Sequence, residues 1–295
     1  MRALLLTAAL TVSASLPSTA QPQAAADRSP VTPTPAAPID DPYLWLEEMR
    51  GERAMAWVLE QNGRSLAVLE RDPRYEGYFD EALRIVEASD RIPAPEFRGG
   101  HIDNFWRDAR HPQGIWRRTS LESYRTAEPR WEILLDLDQL SRTEKVNWVW
   151  AGADSLRPAH DRCLVTITRG GQDASVIREF DLISRRIVEG GFRLEESKQA
   201  AVWVDRDTLL AGRDWGNGAM TASGYPFILK RIVRGRPADQ AQEVFRGRAS
   251  DMAVWPAALR DPDGSLRGLL AIRRVSFFEG EHHLLDDRGP FLIPV

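Results

Sequence analysis

The sequence predicts a mainly β fold, a partial β-propeller of about four four-stranded blades preceded by a short α-helical N-terminal segment. Three observations carry this. Beyond Ile92, long helical periodicity gives way to short alternating runs separated by Gly, Pro, Asp and Asn, the pattern of successive strands and turns. A Val-Trp pair recurs as Val149-Trp150, Val202-Trp203 and Val254-Trp255, at steps of 53 and 52 residues. A step near fifty residues suits blades stacked so that each covers its neighbour. Before Ile92, apolar residues instead recur at three- and four-residue steps.

Met1-Arg2, the apolar run Ala3 to Leu16 and the small residues Ser18-Thr19-Ala20 read as a secretory signal peptide over 1–20. Export to the periplasm or medium is therefore expected, and the run is too short for a membrane span, which needs about 20 apolar residues. Residues 21–39, rich in Pro and Ala, read as a disordered tether. The helical segment covers 40–90. Asp41 suits a helix N-cap, Pro42 the first helical position and Gly51 a terminator. Met55, Val58, Leu59, Leu66 and Leu69 then mark a helix from Glu52 to about Glu70, which Asp72-Pro73 stops. Tyr78, Leu83 and Val86 suggest a third helix. Tyr43, Trp45, Leu46 and Trp57 need a surface to cover them, or will be exposed or repacked on the blades.

Residues 91–295 hold the blades. In the first two repeat copies Asp154-Ser155-Leu156 and Asp207-Thr208-Leu209 fall at matching offsets, and Phe105-Trp106 suggests a divergent copy 44 residues before Trp150. The final RGPFLIPV looks like a further strand with no closing segment after it. An irregular β-sandwich with chance tryptophan spacing is the competing architecture.

The search for chemistry yields no catalytic, cofactor-binding or metal-ligating residue. Cys163, the single cysteine, excludes an intramolecular disulfide, and its apolar neighbours favour a buried thiol. Ser223 and Ser265 imitate a G-x-S-x-G turn but lack its first glycine, and read as turn residues. Glu279, Glu281, His282 and His283 form the metal-like cluster, yet adjacent histidines on a strand face opposite ways, so a solvated blade-edge loop is favoured. Gly216-Asn217-Gly218 lacks the third glycine of a dinucleotide site and reads as an inter-strand loop. Gly170-Gly171 reads as a tight turn, with Arg169 and Arg178 offered Glu179 and Asp181 as ion-pair partners. A formal charge of −4 and a pI near 5.8 give no basic footprint for nucleic acid.

DPYLWLEE from Asp41, then Trp57-Val58 and Gln61-Asn62, resembles the N-terminal signature of the prolyl oligopeptidase family of serine peptidases. The resemblance continues through Asn104 to Arg125, Trp131 to Leu140, Arg169 to Leu182 and Thr221 to Arg231, with Thr168 standing where the family usually has serine. It implies a seven-bladed propeller beside an α/β-hydrolase domain, with the N-terminal helices packed on the hydrolase. The family's Ser-Asp-His triad lies in that C-terminal domain, so none of it maps onto this sequence, and the chain alone is expected to be inactive. The implied role is the non-catalytic, substrate-gating part of an endopeptidase for short peptides, partnered by a hydrolase domain or a complementing chain. No cofactor, nucleic acid or membrane partner is implied. The alternatives are a stand-alone exported propeller binding peptides or proteins and, more weakly, a propeller enzyme using carboxylates at the central pore.

Overall fold

The computed structural model describes residues 41–48 and 51–294; the signal-peptide and tether readings lie outside the described residues. Two compact units divide between Pro73 and Arg74.

In the first unit, Asp41 does not cap an α-helix. Its Oδ1 accepts the Tyr43 amide at 2.8 Å, a local turn that competes with helix formation, and only a short 3-10 helix, Leu44–Glu47, follows. Gly51 is not its terminator either: extended at φ −64°, ψ 133°, it is the N-cap residue of α1 (Glu52–Leu69), whose first helical bond runs from the Met55 amide to the Gly51 carbonyl. The Trp45 and Trp57 rings meet edge-on at 6.2 Å, and the Arg53 guanidinium lies 4.0 Å from the Trp45 ring centre. Tyr43 and Trp57 are exposed, whereas Trp45 and Leu46 are half-buried.

The second unit opens with α2 (Tyr75–Glu87), which lies against the strands that follow. Among the described residues seventeen strands then form four antiparallel sheets. The first blade comprises β1 (Glu96–Arg98), β2 (His101–Asp108), β3 (His111–Ser120) and β4 (Glu132–Asp136). Two short helices belong to it, α3 (Leu121–Tyr124) and α4 (Leu137–Glu144). Ser120 and Asp136 cap them by accepting the amides of Ser123 and Gln139. The second contains β5 (Trp148–Ser155), β6 (Arg162–Arg169), β7 (Ser175–Asp181), β8 (Arg186–Ile187) and β9 (Arg193–Ser197). Both β8 and β9 pair with β7, so they act as one outer strand interrupted at 188–192. The third has β10 (Ala200–Asp205), β11 (Thr208–Gly212), β12 (Ile228–Val233) and β13 (Gln242–Arg246). The fourth has β14 (Ala253–Arg260), β15 (Leu266–Arg274), β16 (Gly280–Asp286) and β17 (Gly289–Leu292). The strand expected in RGPFLIPV is β17, the outer strand of the fourth blade.

Strand alternation explains why the blades hold together. In β6, Cys163, Val165 and Ile167 join Trp116 and Leu134 of the first blade, while Leu164 points the other way to meet Trp203 and Leu209 of the third. In β11, Leu209 and Ala211 face the second blade and Leu210 faces Val254 and Leu269 of the fourth. Each interior sheet is thus apolar on both faces, and three buried clusters fill the three junctions between four blades.

The Val-Trp repeat is the aromatic part of the same junctions. Trp150 stacks on Phe105 of the first blade at 5.2 Å, Trp203 meets Phe192 of the second at 5.7 Å and Trp255 meets Tyr225 of the third at 5.8 Å. Two details of the repeat fail. Phe105-Trp106 lies on the second strand of its blade, where Phe105 receives Trp150 instead of copying it. Asp154-Ser155 ends β5, whereas Asp207 lies in the turn before β11. The two blades carry first strands of different length, eight and six residues, so equal offsets reach different structure.

Candidate functional site

The first strands β5, β10 and β14 enclose a cavity of about 490 Å³, lined by Asp154, Ser155 and Arg157, by Ala201, Val202 and Trp203, and by Ala258, Leu259 and Arg260. Its walls are tied across blades. Trp203 Nε1 donates to the Asp154 carbonyl at 3.1 Å, Arg260 Nη2 donates to the Trp203 carbonyl at 2.6 Å, and Arg98 of β1 donates to the Ala153 carbonyl at 3.1 Å.

The loop leaving β5 brings the blades to one place. Gly264, in the β14–β15 turn at φ +89°, packs against Arg157 and Pro158 so closely that a Cβ there would lie 2.9 Å from the Pro158 Cα. On the other side His160 contacts Gly99 of the β1–β2 turn, and its Nδ1 lies 2.8 Å from Ser155 Oγ. Asp103, fully buried, binds both Arg98 and Arg118, with N–O distances of 2.9 and 2.6 Å, and anchors the first blade's contribution.

Electrostatically the cavity is a carboxylate among guanidiniums. Desolvation in the concave wall raises the Asp154 pKa above the ordinary carboxylate value, opposed by the charges of Arg98, Arg260 and Arg157. Asp154 is nonetheless exposed to solvent, which screens both the desolvation and the neighbouring charges. Desolvation, followed by Arg157, Arg98 and Arg118, lowers the His160 pKa and favours neutral imidazole, with Asp103 opposing. The Ser155 hydroxyl that meets His160 is itself buried, and the charged groups lining the cavity are Asp154, Arg157 and Arg260.

A second cavity, about 470 Å³, lies where Ser89 to Pro93 meet β2, β3 and Trp131. Its aromatic surface is already used from within: Arg117 lies 4.2 Å from the Trp106 ring centre and 4.3 Å from that of Trp131, and Arg91 lies 4.8 Å from Trp106. Desolvation pulls the Arg117 pKa down to about 10.

The residues singled out from the sequence lie elsewhere. Cys163 is fully buried and its thiol is pushed up to about 12 by desolvation, which makes it inert. Ser223 and Ser265 occupy exposed turns, the latter's hydroxyl bonded to Asp263 at 2.7 Å. Gly216-Asn217-Gly218 is a loop between β11 and β12, and Gly170-Gly171 the turn between β6 and β7. His282 and His283 are not in an edge loop: they lie within β16, both paired with β15 and His283 also with β17, and Glu281 bonds Arg273 at 2.9 Å and His283 at 2.8 Å. Among the described residues no group of three or more His, Cys, Asp or Glu could hold a metal ion.

The ion-pair partners also differ from expectation. Arg178 binds Glu144 at 2.7 Å and Arg169 binds Glu196 at 3.0 Å, while Glu179 binds Arg234 of the third blade at 2.7 Å and Asp181 binds Arg162. Strand alternation is the reason: Arg178 and Glu179 are adjacent on β7 and leave by opposite faces. Sequence reasoning missed Arg98, Arg157 and Arg260, which carry no local motif and meet only because the first strands are neighbours.

The description "Prolyl oligopeptidase, N-terminal beta-propeller domain" matches residues 22–287. The chain belongs to that family. An uncharacterized peptidase of Sinorhizobium fredii is 44% identical over 82% of this chain and 33% of its own length, and one of Rickettsia prowazekii is 29% identical over 68% and 29%. The chain therefore spans about a third of the curated relatives it matches. Among solved structures, a post-proline cleaving enzyme from Rickettsia typhi superposes with a TM-score of 0.77 at 27% identity, over 84% of this chain and 37% of that one. Oligopeptidase B from Leishmania major, at 14% identity and a TM-score of 0.65 over 86% and 35%, shares the fold. The cavity thus lies on the first strands of a prolyl oligopeptidase propeller domain.

Proposed function

We propose that this propeller domain is the substrate-gating, non-catalytic part of an exported serine peptidase, and that the first-strand cavity is where short peptides are held on their way to a hydrolase domain. That domain lies in the same polypeptide or in a complementing chain. The observation supporting the reading is the family match over residues 22–287, combined with a cavity walled by the first strands of three blades. The signal-peptide-like residues 1–20 support export to the periplasm or medium.

The test uses the purified 295-residue chain and a short proline-containing peptide bearing a photoreactive group. Labelling of the Arg157 loop or of β10 and β14, without peptide cleavage, is the expected result. Turnover of a proline-containing chromogenic peptide that a serine-directed organophosphonate abolishes would overturn the non-catalytic assignment. Labelling confined to surfaces outside the cavity would overturn the gating one.

A further inference from the structure

The cavity carries more positive charge than its one carboxylate balances. Arg260 gives its guanidinium to neutral acceptors, the carbonyls of Trp203 at 2.6 Å and Gly264 at 3.0 Å. The Arg157 guanidinium makes no hydrogen bond or ion pair with a described residue, although it faces Asp154 closely enough to stabilise its charge. Arg98 is held by Asp103, which also binds Arg118, and by Glu96 at 2.8 Å, so that cluster is balanced and the surplus positive charge rests on Arg157 and Arg260. Against these stands Asp154, whose carboxylate has no hydrogen-bond partner among the described residues and which desolvation disfavours in its charged form.

We propose that this cavity is an anion subsite that takes a peptide carboxylate on Arg157 and Arg260, so that the passage prefers short peptides carrying a free carboxylate. A guanidinium presents paired donors that match a carboxylate's two oxygens. Ala201, Val202 and Leu259 supply the apolar wall for the side chain next to that group. A cationic peptide group would meet the surplus arginines and be disfavoured. The inference rests on the peptide-holding role proposed above.

The test measures binding to the full chain of one short proline-containing peptide, labelled at its N-terminus, in three forms: free acid, C-terminal amide, and amide with one internal Glu. The free acid should bind about tenfold more tightly than the plain amide, the gain of one charge-assisted contact, and added salt should shrink the gap. Arg157→Ala should close the gap. Asp154→Asn should widen it without changing the unfolding temperature, an increase in affinity that structural damage would not produce. If the Glu-containing amide matches the free acid, any carboxylate serves; if it matches the plain amide, the subsite reads the chain terminus.

Equal binding of free acid and plain amide, a gap that survives Arg157→Ala, or one that Asp154→Asn leaves unchanged would overturn the anion subsite and leave the peptide-holding role standing. Failure of every form to bind at millimolar concentration would overturn both.

Discussion

Helix α1 and strand β7 show how differently two parts of this chain use apolar residues. The eighteen residues of α1 bury one side chain, Ala54, whereas the seven of β7 bury six. Val68, Leu59 and Leu69 of α1 are exposed, as are Tyr78, Val86 and Ile85 of α2. An amphipathic helix gains most of its stability from covering one face, and the described residues leave these faces uncovered. The interior blades have no such deficit, because each lies between two others. The interior blades bury apolar side chains on both faces, whereas each helix exposes most of its own.

That contrast is broken most forcefully at a blade junction. Trp203→Ala removes a fully buried indole together with its bond to the Asp154 carbonyl, and should cost about 3–5 kcal/mol in denaturant unfolding. Next comes Glu179, which is buried, binds Arg162 within its own blade and ties Arg234 of the third blade to the second. Glu179→Ala leaves Arg162 with Asp181 and Arg234 with Asp207, and should cost about 2 kcal/mol, below the range for a buried pair broken outright. Gly114→Ala should cost about 1–3 kcal/mol, since its φ is +103° and a Cβ would sit 2.3 Å from the Phe105 ring. A loss below about 0.5 kcal/mol at any of these would mean that the junctions are looser than their burial indicates.

The pH dependence sharpens the same point with a smaller effect. The bond from Arg273 holds the Asp251 pKa below the ordinary value of 3.8, with further help from the Arg248 amide. A carboxylate depressed in the folded state adds stability that is complete above its unfolded pKa and is lost as pH falls through the folded value. Stability should therefore decline as pH drops below about 4, and Asp251→Asn should flatten that decline while lowering stability at pH 7. An unaltered acid limb in thermal melts of the variant would exclude Asp251 as a contributor. Smallest of all, Val68→Ser on the exposed face of α1 should change stability by no more than about 0.5 kcal/mol. A larger loss would show that α1 is covered in solution.

The blades were legible in the sequence because strand alternation and the tryptophan period are local or repetitive signals. Helix α1 was legible for the same reason, from its spacing and from Asp72-Pro73. The start at Asp41 was misread because an Asx turn and a helix N-cap use the same residue type, and only the following backbone separates them. Equal offsets in Asp154 and Asp207 misled because the two first strands differ in length. The cavity was not legible at all. Arg98, Arg157 and Arg260 stand 59 and 103 residues apart in sequence, and nothing around them marks a site. Their meeting depends on blade order and on Gly264 letting the β14–β15 turn approach Pro158. The family resemblance supplied the expectation of a neighbouring hydrolase; it did not supply this arrangement.

The most direct measurement is amide hydrogen exchange across the full chain, with and without a saturating short proline-containing peptide. Without peptide, β6, β7 and β11 should exchange slowly and α1 quickly; with it, protection should rise at the end of β5, in the Arg157 loop and in β10 and β14. Protection appearing only in α1 or α2, or a first-strand cavity indifferent to peptide, would contradict the account.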